Sequence, residues 1–136
     1  MHDFQNASER HLQDAELLFT QAPKRLANAS HFFGLSAECS LKAIAQKLKP
    51  STKFGGRNGL GHIPKLFSEL KNVFPEIGSN PDLVRHMASI QPKFANWNVA
   101  QRYASKTIFI EATVADEQAG SNAAHLLMSN CMMGLI

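Results

Sequence analysis

Residues 31–48 read HFFGLSAECSLKAIAQKL. Apolar side chains occupy nearly every side of the helix this stretch predicts, yet Glu38 and Lys42 stand in its middle. Their i, i+4 spacing with the acid first is the favourable order for a helical ion pair, worth a few tenths of a kcal/mol when solvated. Phe32, Phe33, Leu35, Cys39, Leu41, Ala43 and Ile44 leave only a narrow polar stripe around the pair. A half-buried carboxylate there needs donors beyond Lys42. The pair is therefore expected to line a polar strip in a groove, either fixing the register of the helix, contacting loop groups or holding a ligand.

Extended outward, the same helix is expected over residues 24–49. Leu26, Ala29, Phe33, Ala37, Leu41, Ile44 and Leu48 recur at intervals of three or four, the seam of a bundle. Before it, residues 3–21 form a first helix on Phe4, Ala7, Leu12, Ala15, Leu18 and Phe19, and Pro23 suits the opening turn of the second. Pro50 ends the second helix. PSTKFGGRNGLG follows, with four glycines in its last seven residues, a loop too flexible for regular structure. A short helix over residues 64–72 presents Leu66, Phe67 and Leu70 on one face, and PEIGSN breaks the chain again. Asn80 is a good N-cap with Pro81 at the first helical position, and Pro92 closes that segment. Residues 93–112 show no clean period and read as a loop with a turn of helix; only TIFIEA hints at a strand. A final helix over residues 113–133 would be capped by Thr113 or Thr107, with Asp116 and Glu117 complementing its positive end. The predicted fold is all-α. It is an up-and-down antiparallel bundle of four main helices plus one short accessory helix, in a single domain of 136 residues.

Hydrophobic residues make up 44% of the chain and charged residues 18%, which excludes a disordered protein. Beyond Glu117 the last helix carries no Lys, Arg, Asp or Glu, so its bare surface is expected to serve as core and as a homodimer interface. Cys39 and Cys131 have no CxxC spacing and are read as reduced, buried thiols. The N-terminal residues lack the pattern of a signal peptide and no window is apolar enough to span a membrane. A cytoplasmic location without membrane association is expected. The net charge of +3 is uneven: residues 42–71 hold seven Lys or Arg against Glu69 alone. Such a region attracts phosphate-bearing ligands or RNA, or is a solvated loop with its flanking helix ends.

Three segments together resemble the HEPN domains (higher eukaryotes and prokaryotes nucleotide-binding). HFFGLSAECSLKAIAQKL is similar to the family's central-helix pattern yxxxAxECxLKAL, GHIPKLFSEL to GHdLxxLlxxL, and WNVAQRY to WxxxxRY. They come in the family's order and span residues 27 to about 104. The resemblance implies a bundle of four to five helices, frequently homodimeric, acting in nucleotide or RNA metabolism. Such proteins often work beside a minimal nucleotidyltransferase in toxin–antitoxin or defence systems. The family's ribonucleases carry Arg-x4–6-His late in the chain, where this sequence has Arg102 in RYASKTIF and no His at the needed distance. RLANASH (Arg25, His31) and RNGLGH (Arg57, His62) match formally, against about 0.7 of a match expected by chance. Arg25 and His31 are out of line on a helix, whereas Arg57 and His62 lie in a flexible loop and can converge.

The candidate ligand-binding residues are thus Glu38, Lys42, Trp97, Arg102 and Tyr103, with residues 47–65 supplying positive potential. Trp97, Arg102 and Tyr103 bring two rings and a guanidinium into one loop, as base stacking or phosphate contact requires, although a lone Trp also serves as a lid on a core. Arg57 and His62 are the catalytic candidates, the imidazole able to give or take a proton near neutral pH. His31 lies two turns before Glu38 on nearly the same face, so a shared ligand or water would join them. His2, His11, His86 and His125 have no Cys or acidic neighbours at metal spacing, and no phosphate loop, dinucleotide fingerprint or GxSxG is present. Neither metal nor cofactor is expected. The sequence supports a nucleotide- or RNA-associated binding or regulatory module, a metal-independent endoribonuclease of toxin type as its rival, and a purely structural interaction domain as the third reading.

Overall fold

The computed structural model describes residues 2–73 and 75–136. It is built of helices: α1 (Phe4–Thr20), α2 (Leu26–Leu48), α3 (Lys65–Val73), α4 (Pro75–Gly78), α5 (Pro81–Ile90) and α6 (Glu111–Met132). Three 3-10 turns, Gln91–Phe94, Val99–Tyr103 and Lys106–Ile108, join α5 to α6. Among the described residues there is no strand, and none of the helices is long and apolar enough to cross a membrane.

Helix α2 is the axis of the molecule, packed on α1 along one flank and on α6 along another. Its seam is buried as expected: Ala29, Phe33, Ala37, Leu41 and Ile44 have 2% exposure or less. Two apolar clusters divide its length. Ala29 and Phe33 join Ala15 and Phe19 of α1 and Val114 of α6. Further on, Ala37, Leu41 and Ile44 join Leu60, Ile63, Leu66, Phe67 and Leu70 before and within α3, with Leu83, Met87 and Ile90 of α5 and Leu127 and Met128 of α6. The α1–α2 contact is close because small side chains line it. The Ser8 and Ser40 hydroxyls meet at 2.5 Å, and Ser36 Oγ donates to the Ser8 carbonyl at 2.8 Å. Buried hydroxyls satisfied this way replace apolar bulk without leaving an unpaired group.

A second close approach sets the other side of α2. Trp97 is 2% exposed and lies across Gly34, where an added Cβ would fall 1.8 Å from the indole Cε2. The notch has a polar lock, since Trp97 Nε1 donates to the Ser30 carbonyl at 2.9 Å. Cys39 and Cys131 are free and buried, and burial pushes the Cys39 thiol up to about 11.

Several expectations need correction. Pro23 does not open α2, which starts at Leu26 after Arg25 N has bonded back to Leu18 O at 2.9 Å. PEIGSN is not a simple break, because Pro75–Gly78 forms a helical turn with Pro75 at its start, where the missing N–H costs nothing. Neither Thr107 nor Thr113 caps α6: the cap position is Ile110, which makes no side-chain cap bond, and Thr113 lies inside the helix. TIFIEA splits between the turn Lys106–Ile108 and the first residues of α6. The glycine-rich loop is tied by a single bridge between Phe54 and Leu60, turned by Gly55 and Gly56 at φ of 70° and 69°. Asn80 caps α5 as read, its side chain accepting from the N–H groups of Asp82 and Leu83.

Because the indole fills the space a methyl group would need, Gly34→Ala forces Trp97 out of its seat. Overpacking of this kind costs about 1–3 kcal/mol, to be read as a lower urea midpoint by circular dichroism. An unchanged midpoint would show that the notch is not closed in solution.

Candidate functional site

The Glu38 carboxyl, 4% exposed, answers the question its position raises. Lys42 Nζ bonds Oε2 at 3.1 Å, His62 Nδ1 lies 2.9 Å from Oε1 and 3.0 Å from Oε2, and the Ile63 N–H donates to Oε1 at 3.2 Å. Three donors thus converge on one buried carboxylate, one from its own helix and two from the segment entering α3. A second acid holds the same segment, Glu69 Oε1 accepting the Gly61 N–H at 3.1 Å. The Lys42 ammonium is itself enclosed at 7% exposure, 5.9 Å from the centre of the Phe4 ring. The Glu38–Lys42 pair is therefore a clamp between α2 and the chain before α3, with both carboxylate oxygens bonded inside the protein.

His62 differs, because its side chain is 52% exposed. With Nδ1 donating to Glu38, the ring is oriented and Nε2 is left for another group, the arrangement of a carboxylate-oriented general base. Arg57 sits exposed in the preceding loop, and among the described residues no hydrogen bond, ion pair or ring contact joins it to His62.

The other candidates fall elsewhere. Trp97, 2% exposed, lies as a lid over α2, the alternative to ligand stacking that its position in the loop offered. Arg102 and Tyr103 stand together at the end of the turn Val99–Tyr103, with the guanidinium 4.8 Å from the ring centre and Tyr103 80% exposed. His31 does not pair with Glu38. It stacks on Trp97 at 6.2 Å and 11°, and burial followed by the Arg102 charge holds it below its usual range.

Two features escaped the reading of the sequence. One is a surface cavity of about 650 Å³ lined by Pro23, Lys24, Arg25, Leu26, Ala27 and Asn28 together with Lys106 and Thr107. Three cations from two parts of the chain line it, and among the described residues only Lys24 has an ion pair, to Glu111 at 3.4 Å. Its cations lie outside the charge-rich segment of residues 42–71. The other is Glu117, 2% exposed and bonded by Ser30 Oγ at 2.6 Å, with Gln101 Nε2 donating to that hydroxyl at 2.7 Å. Burial is the main reason its carboxyl is raised to about 7, against Ser30, which lowers it; Asp116 adds to the rise. Because α6 begins at Glu111, Glu117 lies beyond the first turn and faces α2. Serine in an otherwise apolar seam was the available signal for such a polar contact.

Removing the clamp tests its weight. Glu38→Ala strands a buried ammonium and should cost about 3–5 kcal/mol in urea unfolding, and Glu38→Ala with Lys42→Met should recover much of that. A single variant as stable as the native chain would contradict the buried clamp. Glu117 sets a pH dependence of opposite origin. Its folded pKa lies above the ordinary 4.5, so the folded state binds the extra proton. That contribution is full below about 4.5 and lost as pH rises through about 7. Thermal unfolding across this window should show Glu117→Gln gaining on the native chain as pH rises, and a constant difference would refute the burial. No protein-family model matches the chain, and neither a curated protein nor a solved structure matches it.

Proposed function

We propose that the protein is a cytoplasmic HEPN-like module with up-and-down antiparallel topology, four main helices and an accessory one, that binds a nucleotide or RNA and regulates its use. The observation that carries this reading is the 650 Å³ cavity in which Lys24, Arg25 and Lys106 converge. Clustered cations around a concave surface draw phosphate groups by charge alone. The exposed Arg102–Tyr103 pair lies three residues before Lys106 and offers a guanidinium and a ring face for an unpaired base. The binding groove is thus assigned to this cavity rather than to Glu38 and Lys42, which are buried and paired with each other. A nucleotidyltransferase is the partner class that the family resemblance implies.

Nucleotides screened by thermal shift at low salt should raise the melting temperature of the native protein by several degrees at saturation. Arg25→Glu with Lys106→Glu should abolish the rise while leaving the unliganded melting point nearly unchanged. A single-stranded RNA probe followed by anisotropy should bind less tightly between 50 and 200 mM salt. Binding that ignores both salt and charge reversal would overturn the assignment.

The Glu38–His62 contact favours a second reading, the metal-independent endoribonuclease. His62 would move the proton and Arg57 or Arg102 would stabilise the developing phosphorane charge. Cleavage of unstructured RNA should then fall about 100-fold or more in His62→Ala, whereas RNA left intact by the native chain would end this reading.

Homodimerisation through the last helix is supported by Leu126 at 61% exposure, with Met133 at 65% and Leu135 at 68% just beyond it. Light scattering should give twice the 15.0 kDa chain mass, reduced to one chain by Leu126→Glu; a native monomer would remove the dimer.

A further inference from the structure

Beside Glu117 lies a cavity of about 200 Å³, separate in its chemistry from the basic groove. Phe109, Ile110 and Val114 form apolar walls, Thr113 stands one turn before Glu117 on the same helix, and Asn96 closes another side. Apolar walls with a few converging polar groups are the composition of small-molecule sites. The volume is several times the roughly 30 Å³ of one water molecule.

The carboxyl at this cavity lacks a counter-charge. Its Oε1 accepts from Ser30, while Oε2 has no hydrogen-bond partner among the described residues, and the carboxyl lines the cavity. A buried carboxylate is costly unless a cation meets it. The neighbouring cations are directed to other acids, Lys93 to Asp116 at 4.0 Å and Lys24 to Glu111. Among the described residues α2 contributes Ser30 to the cavity wall, the segment from Asn96 to Ile110 contributes amides and apolar side chains, and α6 itself adds Asp116, another acid, beside Glu117. Among the described residues no Lys, Arg or His lines the cavity.

We infer that this cavity binds a small organic cation, a protonated primary amine whose ammonium bonds Glu117 and whose apolar body rests on Phe109, Ile110 and Val114. An ammonium supplies the charge that the fold withholds, and the Thr113 hydroxyl and the Asn96 amide offer acceptors for its remaining hydrogens. A divalent metal fits poorly, because Mg²⁺ and Ca²⁺ require six or more oxygen ligands and these walls are largely apolar. An anion is repelled, so the phosphates proposed for the basic groove do not enter here. The inference stands independently of nucleotide binding.

Titration calorimetry with benzylamine, and with benzyl alcohol as its neutral counterpart, tests it on the intact protein. Benzylamine should bind native protein at pH 8 with a Kd of about 1 mM, the scale expected of a fragment. Benzyl alcohol should bind at least tenfold more weakly. Affinity for the amine should rise about tenfold from pH 6 to pH 8, because only the ionised carboxyl accepts it and half-ionisation falls near 7. Glu117→Gln keeps the shape and an acceptor for Ser30, and should reduce amine binding to the level of the alcohol. Equal binding of the two compounds, absence of amine binding, or undiminished binding to a folded Glu117→Gln variant would each overturn the proposal. The comparison of amine with alcohol on the native chain stays decisive even where the variant is unstable.

Discussion

The structure depends on how a buried acid in the middle of its central helix is satisfied. Glu38 collects Lys42 from one turn away and His62 and the Ile63 N–H from the segment that enters α3. Removing a carboxylate from water is tolerable only when its oxygens are bonded, so these contacts specify where that segment must lie. Ile63 and Leu66 are thereby seated in the main cluster, and α3 and α5 close over the second half of α2. An apolar side chain at position 38 would pack against many neighbours and select none. The acid gives the loop a single address.

The same logic recurs at smaller scale along α2. Ser36 and Ser40 bind α1 through hydroxyls, Ser30 binds Glu117 and Gln101 with its hydroxyl and Trp97 with its carbonyl, and Gly34 admits the indole. Each small polar residue marks a place where another element approaches closely. The helix is thus encoded by two superposed patterns: large apolar residues that set the seam, and small or polar ones that choose the partners.

The first pattern was legible in the sequence. Helical spacing located α1, α2, α5 and α6 to within a few residues, because apolar period and capping chemistry act locally, as at Asn80. The second was legible only in part. Glu38 and Lys42 were marked as anomalous within an apolar context, but the donor that completes the clamp comes from His62, 24 residues away, which no local rule supplies. Thr107 and Thr113 failed as caps because preference for a capping residue says nothing of the extended backbone that brings Ile110 to the start of α6. The cations of the surface cavity come from residues 24, 25 and 106, so no charge run announced them. Glu117 looked like an ordinary acid near a helix start, and only its contact with Ser30, 87 positions earlier, shows it to be interior.

The single tryptophan has a consequence of its own. Its indole N–H holds the carbonyl of the residue whose hydroxyl holds the Glu117 carboxyl, so two hydrogen bonds through Ser30 separate the chromophore from the acid. Ser30 thus places the one indole of the chain and the buried acid on opposite sides of a single residue.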